Sequence, residues 1–188
     1  MSSRLQTVGL VLPDVTVTLK TDRGVFSAGA VDRGTKLLLL EAPPPPPTGN
    51  VVDLGCGYGP IAVTLGRRAP GAQIWAVDVN ARARELTAAN AKAAGLENVT
   101  VSDPSALTAP AVFDAIYSNP PVRIGKAALH DLLAEWLGRL DGGGHAYLVV
   151  HKHLGSDSLS AWLAGDGWNV RRVVSRMGYR VLDVARAS

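Results

Sequence analysis

Up to about Glu41 the chain alternates, then coils; from Asn50 onward it settles into a regular exchange of strand-like and helix-like segments. Near the start, VTVTLKTDRGVF (residues 15–26) puts Val15, Val17 and Leu19 on one side, the period of a half-buried strand. Asp22-Arg23-Gly24 is turn chemistry and predicts an N-terminal β-hairpin at that point. VDRGTKLLLLE reads as a short helix with Leu37 to Leu40 buried. Pro43 to Pro47 follow. A polyproline II rod rises ~3.1 Å per residue, so this run predicts a stiff connector of roughly 15 Å.

Beyond it, NVVDL is a strand entering a glycine loop and the helix around PIAVTLGRR. QIWAVDV is a second strand, followed by the helix ARARELTAANAKAAG with Gly95 in the usual C-terminal position. NVTVSD and FDAIYS are the third and fourth strands. KAALHDLLAEWLGRL is a strongly amphipathic helix ending at the glycines of 142–144, and HAYLVVH is a fifth strand followed by the helix DSLSAWLAG. WNVRRVVSR and YRVLDVAR, separated by Met177-Gly178, form a closing antiparallel pair. Such alternation with short loops predicts an α/β fold: a doubly wound, seven-stranded, mostly parallel sheet with an antiparallel last strand, preceded by the hairpin. A chain of 188 residues accommodates one such domain, with 1–42 as hairpin and helix, 43–49 as connector and 50–188 as the core.

Composition narrows the setting. No stretch approaches the run of about 20 apolar residues that a bilayer crossing needs, and Pro13 and Asp14 interrupt the N-terminal apolar segment where a signal peptide is continuous. The single Cys56 forms no internal disulfide, which fits a reducing compartment. A cytoplasmic monomer is expected. The net charge of +3 lies entirely in the last 38 residues, where Lys152, Arg171, Arg172, Arg176, Arg180 and Arg186 face Asp157, Asp166 and Asp183. Such an edge either steers a polyanion or is a solvated surface. His130 reads as a solvent-facing helix residue. His151 and His153 share a strand face with no third ligand in view, so no metal is expected.

Two stretches carry chemistry. The first strand runs into Asp53-Leu-Gly-Cys-Gly-Tyr-Gly59, whose spacing is G-x-G-x-G, with Pro60 where a dinucleotide fingerprint has its last glycine. Asp78 ends the second strand one βαβ step later, placed to accept hydrogen bonds from ribose hydroxyls, while Asn80 is the better N-cap for the helix from Ala81. The fourth strand ends in Ser118-Asn119-Pro120-Pro121. Asn and Pro are ordinary turn residues, so SNPP taken alone reads as a strand-ending turn.

Taken together, DLGCGYGP, VDVN and SNPP resemble the cofactor site and the amino-methylating branch of class I S-adenosylmethionine-dependent methyltransferases, which have a Rossmann-like sheet. FSAGAVDRGTKLLLLE (26–41) resembles the lead-in of the methyltransferase small domain, whose best known members are small-subunit ribosomal RNA guanine-N2 methyltransferases. The resemblance implies S-adenosylmethionine as cofactor. Gly55, Gly57 and Gly59 would border its methionine part, with Cys56 a small filler rather than a nucleophile. Asp53 would orient its amino group, Asp78 and Val79 its ribose side, and Asp103 its adenine. Gly34 and Thr35 would close over it, with Asn119 beside its methyl.

The Asn119 side-chain carbonyl and the Pro120 backbone carbonyl would accept the N–H groups of a planar exocyclic amine, whose lone pair is otherwise delocalised. The prolines pre-set that turn, and Ser118 supports it. Where the family carries an aromatic residue after NPP, this chain has Val122, so Phe26, Pro121, Val122, Arg123 and Lys126 are the candidate substrate contacts. NPPVRIGK is similar to the loop of short bacterial members. Ribosomal RNA or a ribosomal subunit is the expected partner. A protein glutamine or small-molecule amine, or a non-catalytic RNA-binding module on the same fold, are the alternatives.

Overall fold

The computed structural model describes residues 5–25, 27, 29–107 and 112–187. It opens with a two-stranded antiparallel sheet, β1 (Gln6–Val11) and β2 (Thr16–Thr21). The hairpin turn differs from the expected one. It is made by Leu12 to Val15 around Pro13-Asp14, closed by Leu12 N–H donating to the Val15 carbonyl at 2.8 Å. Asp22-Arg23-Gly24 instead leads away from β2, because Asp22 is buried and bound by Arg82 at 2.7 Å.

Helix α1 (Arg33–Glu41) starts on an Asp32 N-cap, whose carboxylate accepts the Thr35 N–H at 3.0 Å, worth about 1 kcal/mol. Leu37, Leu38 and Leu39 are buried, each contributing about 1.5–3 kcal/mol. Leu40 is exposed, contrary to the expectation, because four consecutive leucines span more than the buried face of one helix. The proline run is no free spacer: Pro45 is buried, and Tyr117 Oη donates to the Pro43 carbonyl at 2.7 Å.

The remainder is β3 (Thr48–Leu54), α2 (Pro60–Arg68), β4 (Gly71–Val77), α3 (Ala81–Ala93), β5 (Val99–Ser102), β6 (Phe113–Ser118), α4 (Lys126–Leu137), β7 (Leu140–His151), α5 (Ser156–Gly165), β8 (Trp168–Arg176) and β9 (Tyr179–Arg186). Strand order in this sheet is β5-β4-β3-β6-β7-β9-β8, with β9 antiparallel to both neighbours. The fold expectation is met. Strand β7 begins five residues earlier than HAYLVVH suggests, since Leu140 already pairs with Phe113 of β6. Gly95 (φ +70°) closes α3 as expected: its N–H reaches the Lys92 carbonyl, and that of Leu96 reaches Ala91.

Both faces of the sheet are covered. The hairpin, α1, α2 and α3 share one core with Val51, Ile74 and Tyr117; α4 and α5 share the other with Val52, Ile116 and Leu148. His130 is not simply solvent-facing, because its ring stacks on Trp162 at 3.8 Å.

The topology fixes where a ligand can lie. The chain leaves β3, builds outward through β4 and β5, then returns to place β6 on the other side of β3. The crevice at the carboxyl ends of β3 and β6 is therefore the switch point of the sheet.

Buried Asn90 of α3 ties the hairpin to that crevice. Its amide accepts the Lys20 N–H and donates to the carbonyls of Lys20 and Tyr58, at 2.7–2.8 Å. Asn90→Ala is expected to lower the unfolding free energy by about 2–3 kcal/mol in urea denaturation, through polar groups left without partners. A loss below about 0.5 kcal/mol would show that water replaces the amide.

Candidate active site

The glycine loop follows β3 directly and is shaped by its backbone. Gly55, Gly57 and Gly59 take φ of +77°, +57° and +92°, which side chains rarely adopt. The N–H groups of Gly55 and Cys56 donate to the Val77 carbonyl at the end of β4 (2.8 and 3.0 Å). Gly59 packs 3.0 Å from Thr87 when a Cβ is placed on it, and Thr87 Oγ1 donates to the Gly57 carbonyl at 2.8 Å. At Gly55 and Gly57, by contrast, a Cβ would enter open space. The loop therefore backs onto α3 and leaves a cradle on its other side.

Asp53, one residue inside β3, is fully buried. Its Oδ2 accepts the Ala62 N–H of the first turn of α2 at 2.8 Å, while Oδ1 has no partner among the described residues. Burial pushes the carboxyl up to about 8; the Ala62 N–H opposes this and the charge of Asp78 adds to it. Asp78 accepts the Gly57 N–H with one oxygen (2.9 Å) and the Asn80 N–H with the other (2.8 Å). Asn80 in turn caps α3 through the Arg82 N–H, as expected. Val79 next to it is 80% exposed, an apolar side chain presented to whatever lies over the loop.

Asp103 ends β5 but is heavily engaged. Ser105 donates to it from both N–H and hydroxyl, and Arg84 pairs with it at 2.9 Å, so the carboxyl stands below its ordinary value. Arg84 also donates to the carbonyls of Asp78 and Val79, clamping the ends of β4 and β5 together. Cys56 is buried, and that burial pushes its thiol well up, which suits a filler rather than a nucleophile.

Across the crevice, Ser118 Oγ donates to the Leu54 carbonyl at 2.6 Å and so locks β6 to the start of the glycine loop. The next residue is Asn119. Its amide nitrogen donates to Asp32 Oδ1 at 2.8 Å and to Thr35 Oγ1 at 3.0 Å. Both amide hydrogens are thus consumed by α1, and the side-chain carbonyl is the end left over. Pro121 (φ −75°, ψ 70°) forms an inverse γ-turn in which the Val122 N–H donates to the Pro120 carbonyl at 2.8 Å. One lone pair of that carbonyl remains.

Asn119 and the glycine loop are therefore brought to one crevice, with Asp53 and Asp78 beneath and beside it. The substrate candidates fare unevenly. Pro121, Arg123 and Lys126 are exposed, whereas Val122 is partly buried against the core beside α4. Phe26 lies outside the described residues. Gly34 makes a close packing contact instead of an open edge, since a Cβ there would stand 2.6 Å from the Tyr179 ring. Asp32, Arg84, Thr87 and Tyr179 escaped the sequence reading. Only Asp32 had a local signal, as an N-cap before a leucine run.

The basic C-terminal edge is largely spent. Arg171, Arg176 and Arg180 pair with Asp183, Glu41 and Asp157, and Arg186 donates to the carbonyls of Gly138 and Leu140. Among the described residues, no group of His, Cys, Asp and Glu assembles for a metal, and no helix is long and apolar enough to cross a membrane.

Comparison with known proteins gives this geometry a family. The methyltransferase small domain model matches residues 16–183. The YbxB protein of Bacillus subtilis (strain 168) is 32% identical over 189 residues, covering 99% of this chain and 94% of its own length. Ribosomal RNA small subunit methyltransferase C of Shewanella amazonensis is 35% identical over 177 residues, 92% of this chain but 50% of that relative. Among solved structures, the T. thermophilus 16S rRNA N2 G1207 methyltransferase in complex with AdoMet and guanosine superposes with a TM-score of 0.77 at 25% identity, covering 97% of this chain and 50% of that one. The chain thus spans about half the length of the ribosomal RNA methyltransferases it matches.

The raised carboxyl of Asp53 yields a signed expectation. Its folded value, about 8, stands above its ordinary 3.8, so the folded state keeps a proton that the unfolded chain releases. Stability is then lost as pH rises from about 4 to about 8. Asp53→Asn keeps an acceptor for Ala62 and removes the titration. Its unfolding free energy should climb relative to wild type across that window in urea titrations. Parallel curves would mean that Asp53 is already ionised in the folded protein.

Proposed function

The chain belongs to the methyltransferase small domain family, a family of S-adenosylmethionine-dependent enzymes, and from that premise we propose that it methylates an exocyclic amine of ribosomal RNA, with guanine N2 as the target. The observation that carries this reading is the engagement of Asn119, whose amide hydrogens are tied to Asp32 and Thr35 so that its carbonyl is the end left over as an acceptor.

The residues fit the cofactor. Asp53 Oδ1, buried and without a partner among the described residues, is an acceptor for an ammonium group, and the open side of Gly55 and Gly57 leaves room for a backbone-hugging ligand. Asp78 accepts from ribose hydroxyls beside its bond to Gly57, and exposed Val79 packs on the adenosine. Asp103 borders the adenine, held in place by Ser105 and Arg84. Bound S-adenosylmethionine supplies an already activated methyl group.

What remains for the protein is alignment. Two acceptors, Asn119 Oδ1 and the free lone pair of the Pro120 carbonyl, hold the two N–H groups of the target amine. They turn its lone pair out of conjugation, with no strong base required. Guanine N2 has this character, and so has adenine N6. The T. thermophilus neighbour, described with N2 G1207 and guanosine, favours guanine.

Four cations support an RNA substrate. Arg33 begins α1, Arg123 and Lys126 follow the Pro-Pro turn, and Lys152 follows β7; all are exposed and none is ion-paired among the described residues. They sit on segments at the carboxyl end of the sheet, around Asn119, where a phosphate backbone would pass. The partly buried Val122 offers no aromatic face, so a flipped base would stack on Pro121 or the Arg123 guanidinium.

The decisive assay supplies labelled S-adenosylmethionine together with naked ribosomal RNA, 30S and 50S particles, tRNA and a protein extract in separate reactions. Label should enter a ribosomal RNA fraction. Asn119→Ala should bind cofactor normally in calorimetry while transfer falls on the order of 10²–10³-fold. Label in protein, or undiminished transfer by Asn119→Ala, would overturn the reading. Arg123→Ala with Lys126→Ala should raise KM for RNA about tenfold and flatten the logarithmic salt dependence by about two, leaving cofactor affinity unchanged.

A further inference from the structure

Asp32 makes more contacts than a helix cap needs. Capping α1 takes one bond, from the Thr35 N–H to Oδ1 at 3.0 Å, and Ser would provide it as well. The same oxygen also accepts Asn119 Nδ2 at 2.8 Å, across 87 residues of chain. The other oxygen receives the Tyr179 hydroxyl at 3.5 Å from β9, and the Tyr179 ring lies on Gly34 so tightly that no side chain fits there. His151 meets the same ring edge-on at 4.8 Å. Asp32 is thus held by α1 and β9 while it holds Asn119.

We propose that Asp32 is a positioning residue for Asn119, fixing which end of the amide faces the substrate and raising the acceptor strength of that end. The idea rests on the proposed function, in which Asn119 Oδ1 is an acceptor. A carboxylate only accepts, so the amide nitrogen must face it; turned over, the Asn119 oxygen would meet an anion at hydrogen-bond distance. Thr35 Oγ1 takes the second amide hydrogen at 3.0 Å, so the nitrogen has no hydrogen left for any other partner. The charge matters as well as the geometry. An N–H donated to an anion draws electron density towards the amide oxygen, so a charge-assisted bond behind the amide strengthens the acceptor in front. Tyr179 and Gly34 keep the carboxylate from swinging away.

The test separates capping from positioning. Asp32→Ser retains a good helix cap and is too short to reach Asn119; Asp32→Asn retains both contacts but removes the charge and lets the amide turn over. Each should melt near wild type and bind S-adenosylmethionine within about twofold, while kcat on the RNA substrate falls about 10–100-fold. A second readout needs no turnover. In ¹⁵N spectra, the Asn119 side-chain amide protons should be shifted downfield and exchange slowly in wild type, and should lose both properties in Asp32→Ser.

Unchanged kcat and an unchanged amide signal in Asp32→Ser would leave Asp32 a plain cap and overturn the proposal. Loss of cofactor affinity in step with kcat would move its role to the cofactor site and overturn it too. Wild-type kcat in Asn119→Ala would instead defeat the assigned role of Asn119 itself, and the amide signal then decides alone whether Asp32 orients it.

Discussion

The carboxyl of Asp53 lies at the end of an interior strand with no exposure, holding the Ala62 N–H with one oxygen and, among the described residues, nothing with the other. Strand β3 is flanked on both sides, so this group cannot turn to water without breaking the sheet. The first turn of α2 must therefore stand where it does, and it is entered through Gly59, left-handed and packed so closely on Thr87 that a Cβ would press against it. An unpartnered buried oxygen costs about 1–3 kcal/mol, more if charged, unless a proton or a cation answers it. The raised carboxyl is the proton's answer. Asp78, half open and bound by two N–H groups, faces no such demand. The glycine loop is thus flanked by one acid suited to a cationic group and another suited to neutral hydroxyls.

Around that loop the local rules of sequence worked well. Strands buried on both faces read as apolar runs, Gly95 and Asn80 sit at the helix ends where their conformations are cheapest, and the Gly-x-Gly-x-Gly turn announces its own geometry. What stayed hidden was long-range or negative. Nothing near Asn119 marks Asp32, and nothing near Asp32 marks Tyr179, because such pairings are made by the fold and not by spacing. The glycines of 142–144 carry no strand propensity; they fall in the register shift of β7 between Leu140 and His145, which pair with Phe113 and Ala115 of β6. The hairpin turn was misplaced because Pro13-Asp14 and Asp22-Arg23-Gly24 are both sound turns, and only the burial of Asp22 against Arg82 separates them. The C-terminal excess of positive charge says nothing of which cations are engaged, and three of its arginines are held by carboxylates.

The N-terminal segment acquires its importance from the same long-range ties. A two-stranded sheet is marginal in water by itself. Here it is held by Asn90, by the pair of Arg82 with Asp22 and by that of Arg68 with Asp14, while α1 contributes its leucines to the shared core. Exposed pairs such as Arg68–Asp14 are worth little singly, so the apolar face and the buried Asn90 do most of the holding. The segment that builds one wall of the crevice is thereby coupled to the stability of the whole sheet.

Substrate choice then falls to what this arrangement leaves uncommitted. Val122 is spent on the core and three of the C-terminal arginines are spent on carboxylates. An inverse γ-turn takes one lone pair of Pro120. At the mouth of the crevice there remain one amide oxygen of fixed orientation, one carbonyl lone pair, a proline face and cations that are not ion-paired among the described residues. A small neutral amine would use the two acceptors and waste the cations. A protein amide would want an aromatic clamp that Val122 cannot provide. In the proposed function a base presented on a phosphate chain would use all of them: its amine on the acceptors, its ring on Pro121 or Arg123, and its phosphates on Arg33, Lys126 and Lys152. On that reading, Val122 in place of an aromatic residue would shift base recognition towards the backbone charge and make RNA binding more dependent on salt.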